Sequence, residues 1–585
     1  MARIVFIRVI CFIRLIRVSL CAKIGDMKSR HILLYFLAFL LALGLRFVQL
    51  GAVPLTDTEA TFALQALAIA RGDNPLLGAQ PGYILLTSIP FYLFESTNFL
   101  TRLIPALAGS LLVFAPFFLR EKIGKRAAVL AAFFLAAAPS FVAVSRQANG
   151  TMLAVTFGIF AWAMWRNSRP QLAGIFAGIA LLGGASVWMG LLIASLTWAL
   201  AQNLLPKTKT EITEASETQE RSHADDVKVA AKFTGGTLLL VGTLFFLSPN
   251  GLSAFTASLG EFLRGWRYSS GVPILRILGG LLAYYPLALL FGIIASMRAI
   301  IKKDPTGIFL SLWASIALLL VIFYPAHQVS DLLWVALPLW VLSAQELSRH
   351  LHLPLYDRNE TFGVFGLTVL LLSFAWLNIS GASAVTAFGA IPSDRLILLV
   401  GSLILLLMSL GLIAIGWSLE TATLGGAWGT AFMLGLYTLS VAWGSSGLRT
   451  PKGIELWNNA PPVTRTGLLP DTVDSVLNRA QQTAKTPTIT IYGVDSPALL
   501  WELRHYNVEV VTVLDLNIAS ELVITPQSEQ VQLASAYRGQ DFVWRQTPDW
   551  MTFNWARWLV LREVPMQNEQ IILWAHNNIF FDSQN

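Results

Sequence analysis

Charged residues are scarce in this chain of 585 residues, since Lys, Arg, Asp and Glu make up 13% of it and hydrophobic residues 55%. Soluble domains contain about 25% charged residues, so this composition excludes a water-soluble globular protein. Cysteine is nearly absent, because Cys11 and Cys21 are the only two and both lie near the N-terminus. The sequence therefore excludes a disulfide framework and a cysteine-based metal site.

Phosphate-binding glycine loops are missing as well, since no glycine-rich segment leads into a Lys-Ser or Lys-Thr pair. ATP use is therefore not indicated. The net charge of +7 does not indicate nucleic acid, because residues 1–30 hold seven basic residues and one acid and so supply six of these charges. A basic cluster beside a hydrophobic helix indicates a cytoplasmic anchor. We expect a basic cytoplasmic leader at 1–31 without signal-peptide cleavage, with Met27 as an alternative start.

Long hydrophobic runs are abundant, and a helix needs about 20 apolar residues to cross a bilayer. We predict 13 membrane spans, some of them short: 32–50, 101–119, 127–144, 150–165, 171–186, 188–204, 233–249, 278–298, 306–324, 332–346, 361–377, 395–417 and 425–443. The predicted fold class is therefore mainly α, a polytopic membrane helix bundle. It occupies a transmembrane domain at 32–444.

The basic residues of the short connections alternate along the chain. Connections rich in Lys and Arg or in charge of both signs lie at 120–126, 166–170, 205–232, 298–304 and 348–360. The positive-inside rule places these in the cytoplasm, together with the N-terminus. We predict that linker 205–232 is a solvated loop. The alternation requires segment 82–94, which contains Pro90, to lie on the outer surface as part of a first outer loop at 51–100.

The composition becomes that of a soluble protein near residue 445. Runs of β-branched residues at 488–493, 508–514 and 521–525 predict three strands, and 496–506 predicts a helix between the first two. We therefore expect residues 445–585 to form a small α/β domain. The odd number of spans places this domain outside the cytoplasm.

The stretch "VPLTDTEATF" carries two carboxylates, Asp57 and Glu59, at the start of an apolar run. Thr56 and Glu59 fit the capping-box pattern, which predicts only that a helix begins at Asp57 and continues to Arg71. The same acids would lie at the outer membrane surface, where a carboxylate can accept a proton from an attacking hydroxyl. A partner acid can hold a divalent cation against a phosphate leaving group. Both interpretations stay open on the local pattern.

The segment "PLTDTEATFALQALAIARGD" resembles the first outer loop of GT-C glycosyltransferases, and in particular the bacterial protein O-mannosyltransferase and aminoarabinose-transferase branch. The resemblance continues through "QPGYILLTSIPFYLF" and "TRLIPALAGSLLVFAPFFLREKIGKRAAVLAAFFLAAAPSFVAVSRQANGTML". It implies a sugar transfer in which Asp57 or Glu59 is the catalytic base. The family's adjacent Asp-Glu pair is split here by Thr58, and Asn149-Gly150 occupies the place of a second family acid.

Other polar side chains of the outer loops are candidates for substrate binding. They are Arg102, Arg146, Arg264, Arg267 and His327. The resemblance implies phosphate contacts for Arg102 and Arg146, and a guanidinium matches phosphate oxygens well. Interfacial anchoring and an aromatic belt are the structural alternatives. His327 with Asp331 could contact a metal or phosphate, or it could be an ordinary surface residue.

The resemblance implies transfer of a sugar from a polyprenyl-phosphate-linked donor to an acceptor glycan, lipid or protein outside the membrane. Membrane lipids are the other implied partners. Whether a divalent cation serves as a cofactor stays open on the sequence. One alternative is a non-catalytic GT-C-like scaffold in envelope polysaccharide assembly, which the missing second acid favours. A transporter is the least favoured alternative. A transporter would carry charged residues within its spans, and the predicted spans hold few.

Overall fold

A computed structural model describes residues 29–204, 215–351, 358–385, 393–449, 453–457, 468–480, 488–513, 520–527, 535–552 and 554–580. The basic leader up to residue 28, with Cys11, Cys21 and Met27, lies outside these residues, as do residues 205–214 of the linker. The α-helices, numbered here in chain order, are α1 Ser29–Phe47, α2 Asp57–Ala70, α3 Pro81–Leu93, α4 Asn98–Leu111, α5 Ala115–Ile123, α6 Lys125–Ala137, α7 Pro139–Ser145, α8 Thr151–Arg166, α9 Pro170–Leu181, α10 Ala185–Leu204, α11 Ala215–Gly242, α12 Asn250–Arg264, α13 Ile274–Tyr284, α14 Pro286–Lys302, α15 Pro305–Phe323, α16 Leu332–Arg349, α17 Arg358–Val385, α18 Ser393–Gly416, α19 Leu419–Ser445, α20 Leu468–Ala480, α21 Pro497–Glu502 and α22 Trp555–Leu561.

Membrane-length helices confirm the predicted helix bundle. In the described residues, six helices are long and apolar enough to cross a membrane, and eight spans result if two bent pairs are each counted as one. Three shorter apolar helices, α1, α8 and α9, add to these. The sequence predicts 13 spans, so several predicted spans correspond to short or broken helices. Helix α3 has 13 residues, about 20 Å of length, which is too short to cross.

Two predicted continuous spans are bent at proline. Helices α6 and α7 meet at 53° before Pro139, and α13 and α14 meet at 87° before Pro286. Proline has no N–H to continue the helical hydrogen bonds, so carbonyls of the preceding turn lose their partners. At the first break, the buried Arg46 satisfies two of these carbonyls. Its Nη1 donates to the carbonyl of Ala136 at 2.9 Å, and its Nη2 donates to that of Leu135 at 3.1 Å. A buried arginine thereby stabilises the break between α6 and α7.

The linker prediction needs correction. Residues 205–232 are predicted as a loop, but α11 begins at Ala215 and continues to Gly242. The described part of the linker is therefore helical. Its sequence is rich in Ala, Glu, Gln, Lys and Arg, all of which favour helix, and the prediction rested only on the absence of an apolar period.

The C-terminal residues form the predicted α/β domain. Five strands, β1 Thr488–Tyr492, β2 Asn507–Val511, β3 Leu522–Pro526, β4 Tyr537–Pro548 and β5 Met566–His576, make one sheet in the order β2-β1-β3-β5-β4. Strand β1 pairs in parallel with β2 and β3, while β5 pairs antiparallel with β3 and β4. The first three strands and α21 confirm the sequence prediction, and β4 and β5 were not predicted.

The α/β domain packs directly on the first outer loop. Trp501 of α21 is fully buried, and its ring lies 5.8 Å from that of Phe91 in α3. The same hydrophobic cluster contains Ala60 and Ala63 of α2 and Ile489 of β1. Residues 51–100 and the α/β domain are therefore in direct contact.

Candidate active site at the first outer loop

The helix start at Thr56 has the predicted capping box. The backbone N–H of Thr56 donates to Oε2 of Glu59 at 3.0 Å, and the N–H of Glu59 donates to the hydroxyl of Thr56 at 3.4 Å. These bonds satisfy N–H groups that have no partner inside the helix. The structural interpretation of Glu59 is therefore confirmed. Asp57, two residues earlier, takes no part in the box and is free for another contact.

Glu59 also forms a buried ion pair with Arg102 of α4. The Nε of Arg102 lies 3.0 Å from Oε1 of Glu59, and Nη2 lies 2.8 Å from Oε2. The side chains are 5% and 9% exposed. Burial raises the pKa of Glu59, but the charge and hydrogen bonds of Arg102 lower it. Hydrogen bonds from the backbone N–H groups of Thr56 and Ala148 lower it further, so the pKa lies below the ordinary glutamate value. Glu59 is thus held as a carboxylate.

The remaining donors of Arg102 hold the loop that precedes α2. Nη1 donates to the carbonyls of Leu50 at 3.3 Å and Val53 at 2.6 Å, and Nη2 donates to that of Pro54 at 3.0 Å. With the two bonds to Glu59, every nitrogen of Arg102 has a protein acceptor. A phosphate would therefore have to displace one of these acceptors.

Arg146 has a similar structural role at the end of α1. Its Nη1 donates to the carbonyl of Arg46 at 2.8 Å and of Val48 at 2.9 Å, and its Nη2 donates to that of Gln49 at 3.0 Å. The adjacent N–H of Ala148 donates to Oε1 of Glu59 at 2.8 Å. Glu59 and Arg102 are thus in direct contact, the segment after Arg146 also contacts Glu59, and both arginines are bonded to protein acceptors.

Asp57 contacts the α/β domain instead. Its Oδ1 accepts from the hydroxyl of Ser496 at 2.6 Å and from the N–H of Ala498 at 3.1 Å. Its Oδ2 lies 2.7 Å from Nη2 of Arg545, and the side chains of Arg545 and Asp57 are 17% and 19% exposed. The indole N–H of Trp544 donates to the hydroxyl of Ser496 at 3.1 Å. The carboxylate of Asp57 therefore lies at the junction of the two domains.

The other predicted residues lie elsewhere. Arg264, at the end of α12, and Arg267 are exposed, and their described contacts do not include Asp57 or Glu59. His327 is 5% exposed, and its ring nitrogens lie 2.7 Å and 2.8 Å from the carbonyls of Tyr324 and Val272. The structure does not bring these three side chains to the acid pair.

The place of the second family acid has a local structural role. Oδ1 of Asn149 accepts from the N–H of Thr151 at 3.1 Å, at the start of α8. A Cβ on Gly150 would lie 2.5 Å from the carbonyl oxygen of Gly183, so this close approach requires glycine. The loop thus provides a hydrogen bond to the first N–H of α8 and a close backbone contact where the resemblance implies a carboxylate.

The residues around Asp57 do not fit a divalent cation. Within the described parts of the chain, no three His, Cys, Asp or Glu side chains are grouped to hold a metal ion. The guanidinium of Arg545 lies next to Asp57. Its positive charge would repel a metal cation bound at the same carboxylate.

Sequence reasoning missed Ser496 and Arg545. The serine follows β1 as the N-cap of α21, where its hydroxyl accepts from the N–H of Leu499 at 3.3 Å. Its pattern, Ser before a Pro at the first helical position, is a recognisable cap, but a cap pattern does not indicate a distant partner. Arg545 lies on the unpredicted strand β4, and no local signal distinguishes it.

The chain combines a helix bundle, a first loop that bears Asp57 and Glu59, and an α/β domain that packs on this loop. No protein-family model and no curated protein matches the chain. The structure is similar to the crystal structure of ArnT from Cupriavidus metallidurans bound to undecaprenyl phosphate, with a TM-score of 0.55 and 14% identity over 94% of this chain and 99% of that one. The apo ArnT structure matches with a TM-score of 0.50 and 15% identity, over 93% of this chain and 98% of that one. This likeness confirms the resemblance at the level of the fold.

Proposed function

We propose that this protein is a membrane glycosyltransferase that takes a sugar from a polyprenyl-phosphate-linked donor. The observation that carries the proposal is that the chain shares its fold with almost the whole of ArnT, which was crystallised with undecaprenyl phosphate. The carboxylate of Asp57 supports it, since Asp57 lies in the acid-bearing loop that the resemblance identifies. The acceptor is a glycan, a lipid or a protein on the outer face.

Asp57 is the better candidate for the catalytic base, because its side chain is 19% exposed whereas that of Glu59 is 9% exposed. Asp57 would take the proton of the acceptor hydroxyl while that oxygen attacks the anomeric carbon. The bond between that carbon and the phosphate oxygen breaks, and its electron pair leaves with the polyprenyl phosphate. Attack from the opposite face inverts the anomeric configuration. Glu59 would position the helix that carries Asp57.

The predicted phosphate contacts stay predictions. Arg102, Arg146 and His327 are buried and bonded to protein acceptors, so a phosphate reaches them only after local rearrangement. Arg264 and Arg267 are exposed and are the more accessible of the predicted contacts. Charge from such arginines would offset the charge that develops on the departing phosphate.

A transfer assay in proteoliposomes tests the function. Purified protein is given radiolabelled undecaprenyl-phosphate sugars and a membrane extract as acceptor pool, and labelled product is measured for wild type, Asp57→Asn and Glu59→Gln. We expect label transfer by wild type, loss of transfer in Asp57→Asn, and retained turnover per folded molecule in Glu59→Gln. Unchanged turnover in both variants would contradict the assignment of the base.

A non-catalytic scaffold is the second candidate, and one observation favours it. Both oxygens of Asp57 are bonded by the α/β domain, and Asn149 and Gly150 stand where the resemblance implies a second acid. A carboxylate that only joins two domains would have this geometry. Absence of transfer with every donor, from protein that is folded and binds undecaprenyl phosphate, would favour the scaffold.

A further inference from the structure

The bonds on Asp57 conflict with its use as a base. A general base needs a lone pair within hydrogen-bond reach of the proton that it removes. Oδ1 of Asp57 already accepts two hydrogen bonds, from Ser496 and Ala498, and Oδ2 faces Arg545 at 2.7 Å. Oδ2 keeps one lone pair beside this contact, but the side chain of Asp57 is 19% exposed, so departure of one partner would open the carboxylate to the acceptor hydroxyl. Arg545 is the partner whose side chain has another acceptor available.

Arg545 has capacity for a second anion. Nη2 also donates to the carbonyl of Asp495 at 2.8 Å, and Nη1 lies 3.5 Å from the half-exposed carboxylate of Glu569. Its Nε is buried and has no hydrogen-bond partner among the described residues. A guanidinium presents donors in a fork that matches a phosphate. Arg545 is thus a cation beside Asp57 that retains an unused donor.

The arginines predicted from the sequence are less available for this role. Arg102 donates to five protein acceptor atoms, and Arg146 donates to four carbonyls at the end of α1. Removing either from its acceptors would leave buried carbonyls unpaired, which is costly. Moving Arg545 leaves a partly exposed carboxylate that water or an acceptor hydroxyl can satisfy.

We propose that Arg545 is a phosphate-binding residue of the donor site, and that it is held by Asp57 until the phosphate of a polyprenyl-linked donor takes it over. This inference rests on the proposed function. The exchange replaces one ion pair by another and moves no proton, so Asp57 stays a carboxylate and Arg545 stays a cation. Departure of Arg545 opens Oδ2 of Asp57 to the acceptor hydroxyl, so donor binding would prepare the base. The α/β domain thereby makes catalysis depend on a bound donor.

Competition between Asp57 and phosphate for Arg545 predicts opposite effects of two substitutions. Wild type and variants in nanodiscs are titrated with undecaprenyl phosphate alone, so that turnover is not required. Arg545→Gln should weaken binding by about tenfold to a hundredfold, the value of a charge-assisted hydrogen bond, and Arg545→Lys should restore part of it. Asp57→Asn should tighten binding, because it removes the competing carboxylate. A purely structural role for the pair predicts that both substitutions weaken binding.

The double variant separates competition from general electrostatics. Removing the negative charge of Asp57 reduces the repulsion of any anion. A gain in binding affinity that acts through Arg545 should nevertheless largely disappear when Asp57→Asn is made in the Arg545→Gln variant. Arg538→Gln is the matched control, because Arg538 lies seven residues away on the same strand, about 23 Å along it. It should bind like wild type.

Three results would overturn the inference: equal binding by wild type and Arg545→Gln, weaker binding by Asp57→Asn, or an undiminished gain in the double variant. Each of them leaves the proposed function intact if wild type still transfers sugar. If wild type does not bind undecaprenyl phosphate at all, the donor class of the proposed function is wrong as well, and the exchange fails with it.

Discussion

Arg102 reaches both carboxylate oxygens of Glu59, with Nε 3.0 Å from Oε1 and Nη2 2.8 Å from Oε2, although 43 residues separate the two side chains along the chain. This pair fixes α4 against the start of α2. It therefore determines where Asp57, two residues before Glu59, is presented. The geometry of the candidate base depends on a contact that is itself structural.

Breaking this pair should destabilise the protein strongly. Arg102→Met leaves the carboxylate of Glu59 buried without a countercharge, and removal of one member of a buried ion pair costs about 3–5 kcal/mol. The double variant Arg102→Met/Glu59→Gln should cost less than the sum of the single changes. Thermal unfolding in detergent, followed by tryptophan fluorescence, measures this.

The exposed pair of Arg557 and Glu563 provides the control, since the side chains lie 2.6 Å apart and are 37% and 49% exposed. Arg557→Met should cost about 1 kcal/mol or less. A loss for Arg102→Met that is no larger than this would show that the buried pair does not hold the loop.

The contribution of Glu59 to stability should depend on pH. Its folded-state pKa lies below the ordinary glutamate value, so the contribution is fully present above the unfolded pKa of about 4.3 and is lost as pH falls through the folded pKa. The difference in unfolding midpoint between wild type and Glu59→Gln should be constant from about pH 6 to 7 and shrink below about pH 4.3. A difference that grows on acidification would contradict the sign of this pKa shift.

The orientation of the chain can be tested by thiol labelling. In a background with Cys11→Ser and Cys21→Ser, an impermeant maleimide should label Asp73→Cys and Asn568→Cys in intact cells, because the first outer loop and the α/β domain share one side. Lys303→Cys lies in a basic loop and should react only after permeabilisation. Labelling of Asp73→Cys and Asn568→Cys from opposite sides would contradict the contact between Asp57 and Arg545.

Local features of the fold were predictable from the sequence. The capping box of Thr56 and Glu59 and the strands β1 to β3 follow from short patterns of residue type, and the structure has them. Strands β4 and β5 were missed because polar residues fill much of them, as in "YRGQDFVWRQTP" and "MQNEQIILWAH". The helical part of linker 205–232 has no apolar period, and only its helix-favouring residue types indicate a helix.

Long-range contacts of the site were not predictable in the same way. The sequence places Asp57, Glu59 and Arg102 near one surface, but it gives no sign that Arg102 pairs with Glu59 and not with Asp57. Ser496 lies 439 residues after Asp57, and no pattern in a single sequence relates two such positions. Packing of the α/β domain on α2 and α3 brings Ser496 and Arg545 to Asp57.

The most direct test of the central claim is the rate of sugar transfer by purified Asp57→Asn at saturating donor, relative to wild type. Asp73→Asn, an exposed acid of the same outer loop, is the matched control and should transfer at the wild-type rate. If Asp57 is the general base, Asp57→Asn should lower the rate by about 10²- to 10⁴-fold while its unfolding midpoint stays near that of wild type. A rate for Asp57→Asn within about twofold of wild type would contradict the account, because a general base contributes at least about a hundredfold.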